Sequence, residues 1–146
     1  MEFLIYLSPI GNEIIDKLAR AKFSFRENIG LCSNQGVYGY VEQNKRFVVC
    51  TRNIKNREYD VSSMINETVY HEAVHAAQIC KSYNPLGISH HKMTLSYTKQ
   101  QNLYNSLKVT NSTSNNLTFK LEREAYWLED KPELVSYYVD KNCSNR

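Results

Sequence analysis

Long apolar runs are missing from this chain. Phe3 to Leu7 is only five residues, follows Glu2 rather than a basic segment, and gives way to Pro9 and Gly11. That is too short for a membrane span and wrong for a secretory leader. A soluble protein, cytoplasmic by default, is the expectation. Basic runs longer than two residues are also missing, and the formal charge is only +3. Neither feature argues for nucleic acid as a partner. No Cys-x-x-Cys pair occurs among Cys32, Cys50, Cys80 and Cys143, which speaks against a structural zinc ribbon. In a reducing compartment the four would serve as small core residues. Histidine is scarce at 4, so a motif that uses two of them stands out.

What is present suits one domain spanning residues 1–146, long enough to bury a real core. Residues 3–7 read as a short strand. Gly11 to Ala21 reads as an amphipathic helix, with Ile14, Leu18 and Ala21 at helical spacing and Asn12 as a cap. Two β-rich runs, 37–41 and 47–51, flank a polar turn and predict a hairpin. Residues 52–60 read as a polar loop. A helix capped by Ser62 or Ser63 then runs to about Cys80. Asn84 to Gly87 breaks it, and a weakly periodic helix follows over about 92–107. Residues 110–116 form a polar linker. The spacing predicts a strong helix over 117–130, and Pro132 is placed to start another, to about Lys141.

The stretch from Thr68 to Cys80 holds His71-Glu72-x-x-His75. Two histidines four apart lie on one helical face, one turn apart. Two neutral imidazoles at this spacing can share a Zn²⁺, and Glu72 can act on a water beside it as general base. Random placement of these residue types would produce the motif in about 0.01 of such chains. From Thr68 to Cys80, Glu72 is the only carboxylate and no Lys or Arg occurs. A helix so nearly apolar all round is buried. Buried imidazoles and a carboxylate need partners, which a metal and its water would supply.

A catalytic zinc wants three protein ligands and an open position. Candidates for the third are His90, His91, Glu122, Glu124 and Glu129. On the 117–130 helix, Glu122 and Glu129 share a side with Ala125, Leu121 and Leu128, whereas Glu124 lies about 100° from Ala125. Centring the stripe on Leu117, Leu121 and Leu128 favours Glu124 instead, so helical geometry leaves the two open. Tyr126, Tyr137 and Tyr138 are candidates to donate a hydrogen bond to a developing oxyanion, against packing roles.

His71-Glu72-x-x-His75 followed by Glu122-Arg123-Glu124-Ala125 resembles the gluzincin branch of the zincin metallopeptidases. There the third ligand is typically a helical Glu three positions before a small residue. The resemblance implies Glu122 as ligand, with Glu124 as a neighbour paired to a basic group. Phe47 to Ile54, the motif, and Cys80-Lys81 look like the core of the mitochondrial intermembrane-space peptidases that mature an ATP synthase subunit. That likeness covers about 35 residues, and the family's remaining cysteine pattern is missing, so compartment and substrate are not carried over. A third histidine some 15 residues past the motif resembles the DNA-repair proteases of the SprT type, but the basic surface and zinc ribbon often found there are lacking.

The expectation is an α+β, zincin-like fold. It combines a small mixed sheet, the motif-bearing active-site helix and C-terminal helices. One Zn²⁺ per chain would sit on His71, His75 and Glu122, with Glu72 catalytic in hydrolysis of a peptide or protein substrate. Two other classes are weighed: a metal-binding module without activity, and a regulatory or immunity peptidase that cleaves one partner. The intact Glu72 argues against the first, since a pure ligand site has no need of that carboxylate.

Overall fold

The computed structural model describes residues 1–82, 87–89, 92–109 and 115–144. The predicted break at 84–87, His90 and His91, and most of the 110–116 linker fall outside the described residues or at their edges.

A 3-10 helix, Glu2–Tyr6, opens the chain where a strand was expected. Phe3 alone of this run is buried in the core. The amides of Glu2 and Phe3 donate to the Glu27 carboxylate rather than to a ladder, so the segment winds instead of extending. Helix α1 is Pro9–Arg20. Ser8, not Asn12, caps it by accepting from the Gly11 amide, and Pro9 supplies a preset φ at the first turn. Ile14 and Leu18 are fully buried, as their spacing predicts.

Three short strands follow: β1 Ser24–Glu27, β2 Gly39–Glu42 and β3 Arg46–Val49. β3 is central, parallel to β1 and antiparallel to β2. The sheet is therefore small and mixed, the 39–49 hairpin is real, and β2 lies at an edge. Helix α2, Thr51–Arg57, replaces the expected polar loop. Its composition hides the helix because the side chain of Asn53 works inward. Asn53 Nδ2 donates to the carbonyls of Cys32, Asn34 and Val37, and Ile54 is fully buried.

Helix α3, Val61–Cys80, is capped by Asp60, which accepts from the Ser63 amide; the predicted serine caps lie two or three residues too late. The remaining helices are α4 Tyr97–Val109, α5 Asn116–Leu128 and α6 Pro132–Cys143. α3 is the hub, packed against α1, α5, α6 and the sheet. Ile65, Val69, Ala73, Val74, Ala76 and Ala77 are fully buried along it. Each buried Ile or Val stabilises by about 1.5–3 kcal/mol, and the alanines let neighbouring backbones approach. The described chain is thus mixed α+β, and no described helix is long and apolar enough to cross a membrane.

The cysteines are not four separate thiols. Cys32 pairs with Cys50 and Cys80 with Cys143. The second bond ties the C-terminal end of α3 to that of α6.

Candidate metal centre

His71 and His75 stand one turn apart on α3, and α5 crosses over them. Leu121, Ala125 and Leu128 form the buried face of α5, and Ala125 has no exposed surface. With that face seated on α3, Glu122 reaches both rings. Its Oε1 lies 3.2 Å from His71 Nε2 and 2.9 Å from His75 Nε2. One ligand atom from each of the three residues falls within 4.8 Å of the others. Two ligands bound at zinc distances on a tetrahedral ion stand about 3.3 Å apart, so the donor set and its spacing fit such an ion. The three side chains are 12%, 17% and 18% exposed, so the cluster opens to solvent rather than lying sealed in the core.

Each ring is held from behind. His71 Nδ1 donates to Glu129 Oε1 at 2.8 Å. Glu129 is itself flanked by Lys99 Nζ at 3.6 Å and by a hydrogen-bonded Glu67. His75 Nδ1 donates to Gln78 Oε1 at 2.8 Å. Both arrangements leave Nε2 facing Glu122. The ring of Tyr126 packs edge-on against His71, 4.5 Å between centroids. From α4, Ser106 Oγ donates to Glu122 Oε2 at 3.3 Å.

The charges follow from this packing. Burial works against a charged His71, but the hydrogen bonds it donates to Glu122 and Glu129 outweigh it and hold its pKa well above the ordinary value. Burial likewise opposes a charged His75, and the Glu122 carboxylate overcomes it and raises the pKa. Burial would raise Glu122, yet the two imidazoles pull it well below the carboxylate range. Without metal, the packing favours the charged form of each imidazole and of the Glu122 carboxylate between them.

Glu72 sits beside the pair with only 7% of its surface exposed. Burial raises its pKa, against the opposing pull of His71 and His75. Gly39 on the edge strand β2 lies against it. A Cβ there would come within 3.1 Å of Glu72 Cγ and 2.9 Å of Thr68 Cγ2. Only glycine lets the strand approach the helix so closely at this point.

Residues 3–144 match the family model described as Domain of unknown function (DUF8637). The chain belongs to this family. No curated protein and no solved structure matches it.

Of the sequence candidates, His71, His75 and Glu122 come together. Glu124 does not join them. It is 1% exposed, and its carboxylate is taken up by the amides of Ile88 and Ser89 rather than by a basic group. Glu129 stands behind His71 as its support. His90 and His91 lie outside the described residues. Tyr126 donates its hydroxyl to the Asn102 carbonyl at 3.2 Å, and Tyr137 and Tyr138 pack on each other on α6. Gln78 and Glu67 were not singled out from the sequence, although the signal existed. Gln78 follows His75 by three residues and Glu67 precedes His71 by four, both spacings that share a helical face. Gly39 carried no such signal, because its role depends on which strand meets α3.

Proposed function

We infer that this chain is a zinc-dependent metallopeptidase of the zincin-like type, with one Zn²⁺ held by His71, His75 and Glu122. The observation that carries the reading is the convergence of the three ligand atoms within 4.8 Å, with the buried Glu72 carboxylate next to them. Two imidazoles and one carboxylate make up a catalytic zinc set with a position left open. When bound, the ion supplies Lewis acidity, polarising a carbonyl and acidifying water.

The chain's own residues do the rest. Glu72, with its raised pKa, accepts the proton of the attacking water and passes it to the leaving nitrogen. Glu129 and Gln78 hold the imidazoles with Nε2 turned toward the open side. Edge strand β2, which has no strand on its outer side among the described residues, packs at Gly39 against Glu72 and suits a substrate peptide that adds as a strand. Two disulfides in so small a domain favour an oxidising compartment over the reducing one assumed from sequence.

The test is metal content and hydrolysis together. Protein purified without added metal should carry about one zinc per chain and cleave members of a peptide library. Glu72→Gln should keep the zinc and lose turnover by about 10²-fold or more. Unchanged turnover in that variant would sink the mechanism. Zinc without hydrolysis of any peptide would favour a binding module, and cleavage of a single protein would favour a regulatory peptidase.

A further inference from the structure

Glu124 is a carboxylate with almost no access to water, and among the described residues no Lys or Arg pairs with it. A buried carboxylate without a cation must be met by hydrogen-bond donors, or it costs several kcal/mol. Four donors meet it here. The Ile88 amide lies 3.1 Å from Oε1 and 3.0 Å from Oε2. The Ser89 amide and the Ser89 hydroxyl each lie 3.0 Å from Oε2. Gln78 Nε2 lies 2.9 Å from Oε1. The backbone is shaped for this carboxylate. Gly87 has φ +75°, and a Cβ there would lie 2.5 Å from Glu124 Oε2.

The consequence runs through Gln78, which is 1% exposed. Its Nε2 also donates to the Leu121 carbonyl at 3.0 Å. A carboxylate and a carbonyl can only accept, so both demand that the amide present its NH₂ to them. Gln78 Oε1 is thereby turned to His75. The partner atom, Nδ1, must then carry a proton. A neutral His75 has one ring proton, so the lone pair is left on Nε2, the nitrogen that faces Glu122.

We propose that Glu124 is a positioning residue that fixes, through the orientation of the Gln78 amide, which nitrogen His75 offers to the metal. This rests on the reading of His71, His75 and Glu122 as ligands. Glu124 is thus no ligand itself, yet its loss changes how a ligand is presented. Glu124→Gln has the same shape but can donate where the carboxylate accepts. It therefore permits a reversed Gln78 amide, whose NH₂ would face His75 and favour the wrong tautomer.

The experiment is zinc affinity by competition with a chelator of known strength, for wild type, Glu124→Gln, Gln78→Met and the double variant. The thermal midpoint of each metal-free form is recorded alongside. Support partners behind a ligating histidine typically carry a 10- to 100-fold effect on affinity. Each single variant should weaken zinc by about that factor, and the double variant should be no weaker than Gln78→Met alone. A merely structural role would lower the midpoint without that non-additivity. Nitrogen-15 spectra of zinc-loaded, histidine-labelled protein give a second readout. The His75 Nδ1–H signal should be present in wild type and displaced in Glu124→Gln. If Glu124→Gln does not fold, Gln78→Met and its spectrum decide the matter. Wild-type zinc affinity in Gln78→Met, or additive losses in the double variant, overturns the proposal while leaving the metal site intact. A wild type that takes up no zinc overturns the site and this inference with it.

Discussion

The two histidines of the motif are held in different ways. Behind His71 lies an ionic region, where Glu129 accepts from Nδ1 with Glu67 and Lys99 around it. Behind His75 lies an amide, Gln78, backed by the buried Glu124 and the Ile88 and Ser89 amides. The first support is a group of charged side chains. The second is a neutral amide oriented by an enclosed carboxylate and by backbone groups. The candidate metal centre is therefore braced on one side by charge and on the other by packing and hydrogen-bond direction. Glu122 and Glu124, two residues apart on α5, divide between these tasks. One faces the open cluster and the other is enclosed behind it.

The largest effect should come from the residue both sides share. Glu122→Ala removes the acceptor common to both rings, and should weaken zinc more than Glu124→Ala does, by more than about 100-fold relative to wild type. Equilibrium competition measures both, and the reverse order would reassign the third ligand. Next, both imidazoles have raised pKa values in the metal-free chain. A ligating imidazole must be neutral, so zinc uptake should release protons, and affinity should rise with pH past the ordinary histidine value of 6.5. Calorimetry in two buffers of different ionisation enthalpy counts those protons; no buffer dependence would contradict the raised imidazole pKa values.

Gly87→Ala probes the enclosed side alone. A methyl at φ +75° against the Glu124 carboxylate should destabilise the fold by about 1–3 kcal/mol in denaturant titration. Full stability would show that the nest around Glu124 is not tight. The smallest effect belongs to Glu67 on the ionic side. Burial and the neighbouring Glu129 push its pKa up from 4.5 to about 7. The folded chain then holds the proton more tightly than the unfolded one. That contribution is complete below about 4.5 and lost as pH rises through about 7. Because the side chain is only partly buried, it is on the order of 1 kcal/mol. In the metal-free protein Glu67→Gln should flatten the stability profile across that window; an unchanged slope would remove Glu67 from the account.

Legibility followed periodicity. α1, the β2–β3 hairpin, α3, α5 and α6 could be read because their apolar residues repeat at helical or strand spacing. Residues 3–7 misled because a short apolar run has no period, and the Glu27 carboxylate that winds it lies 24 residues from Phe3. α2 was hidden because the side chain that seats it, Asn53, is polar and looks like loop chemistry. The cysteine pairs were invisible because pairing depends on which ends of the chain meet.

The sequence by itself determined the pair of imidazoles and the carboxylate between them. Spacing along one helix places His71, Glu72 and His75 whatever surrounds them. It also offered Glu122, Glu124 and Glu129 on one short helix, beside His90 and His91, as candidates for a third ligand. Helical spacing left Glu122 and Glu124 open, because both lie close to the buried side of α5, and only the tertiary structure sets Glu122 against both imidazoles. The choice depends on how α5 sits on α3, and that is set by Leu121, Ala125 and Leu128 packing against the small residues of α3. Tertiary structure also assigned Glu129 and Gln78 to opposite rings and brought Gly39 against Glu72. These contacts join residues far apart in the chain, and no local period encodes them.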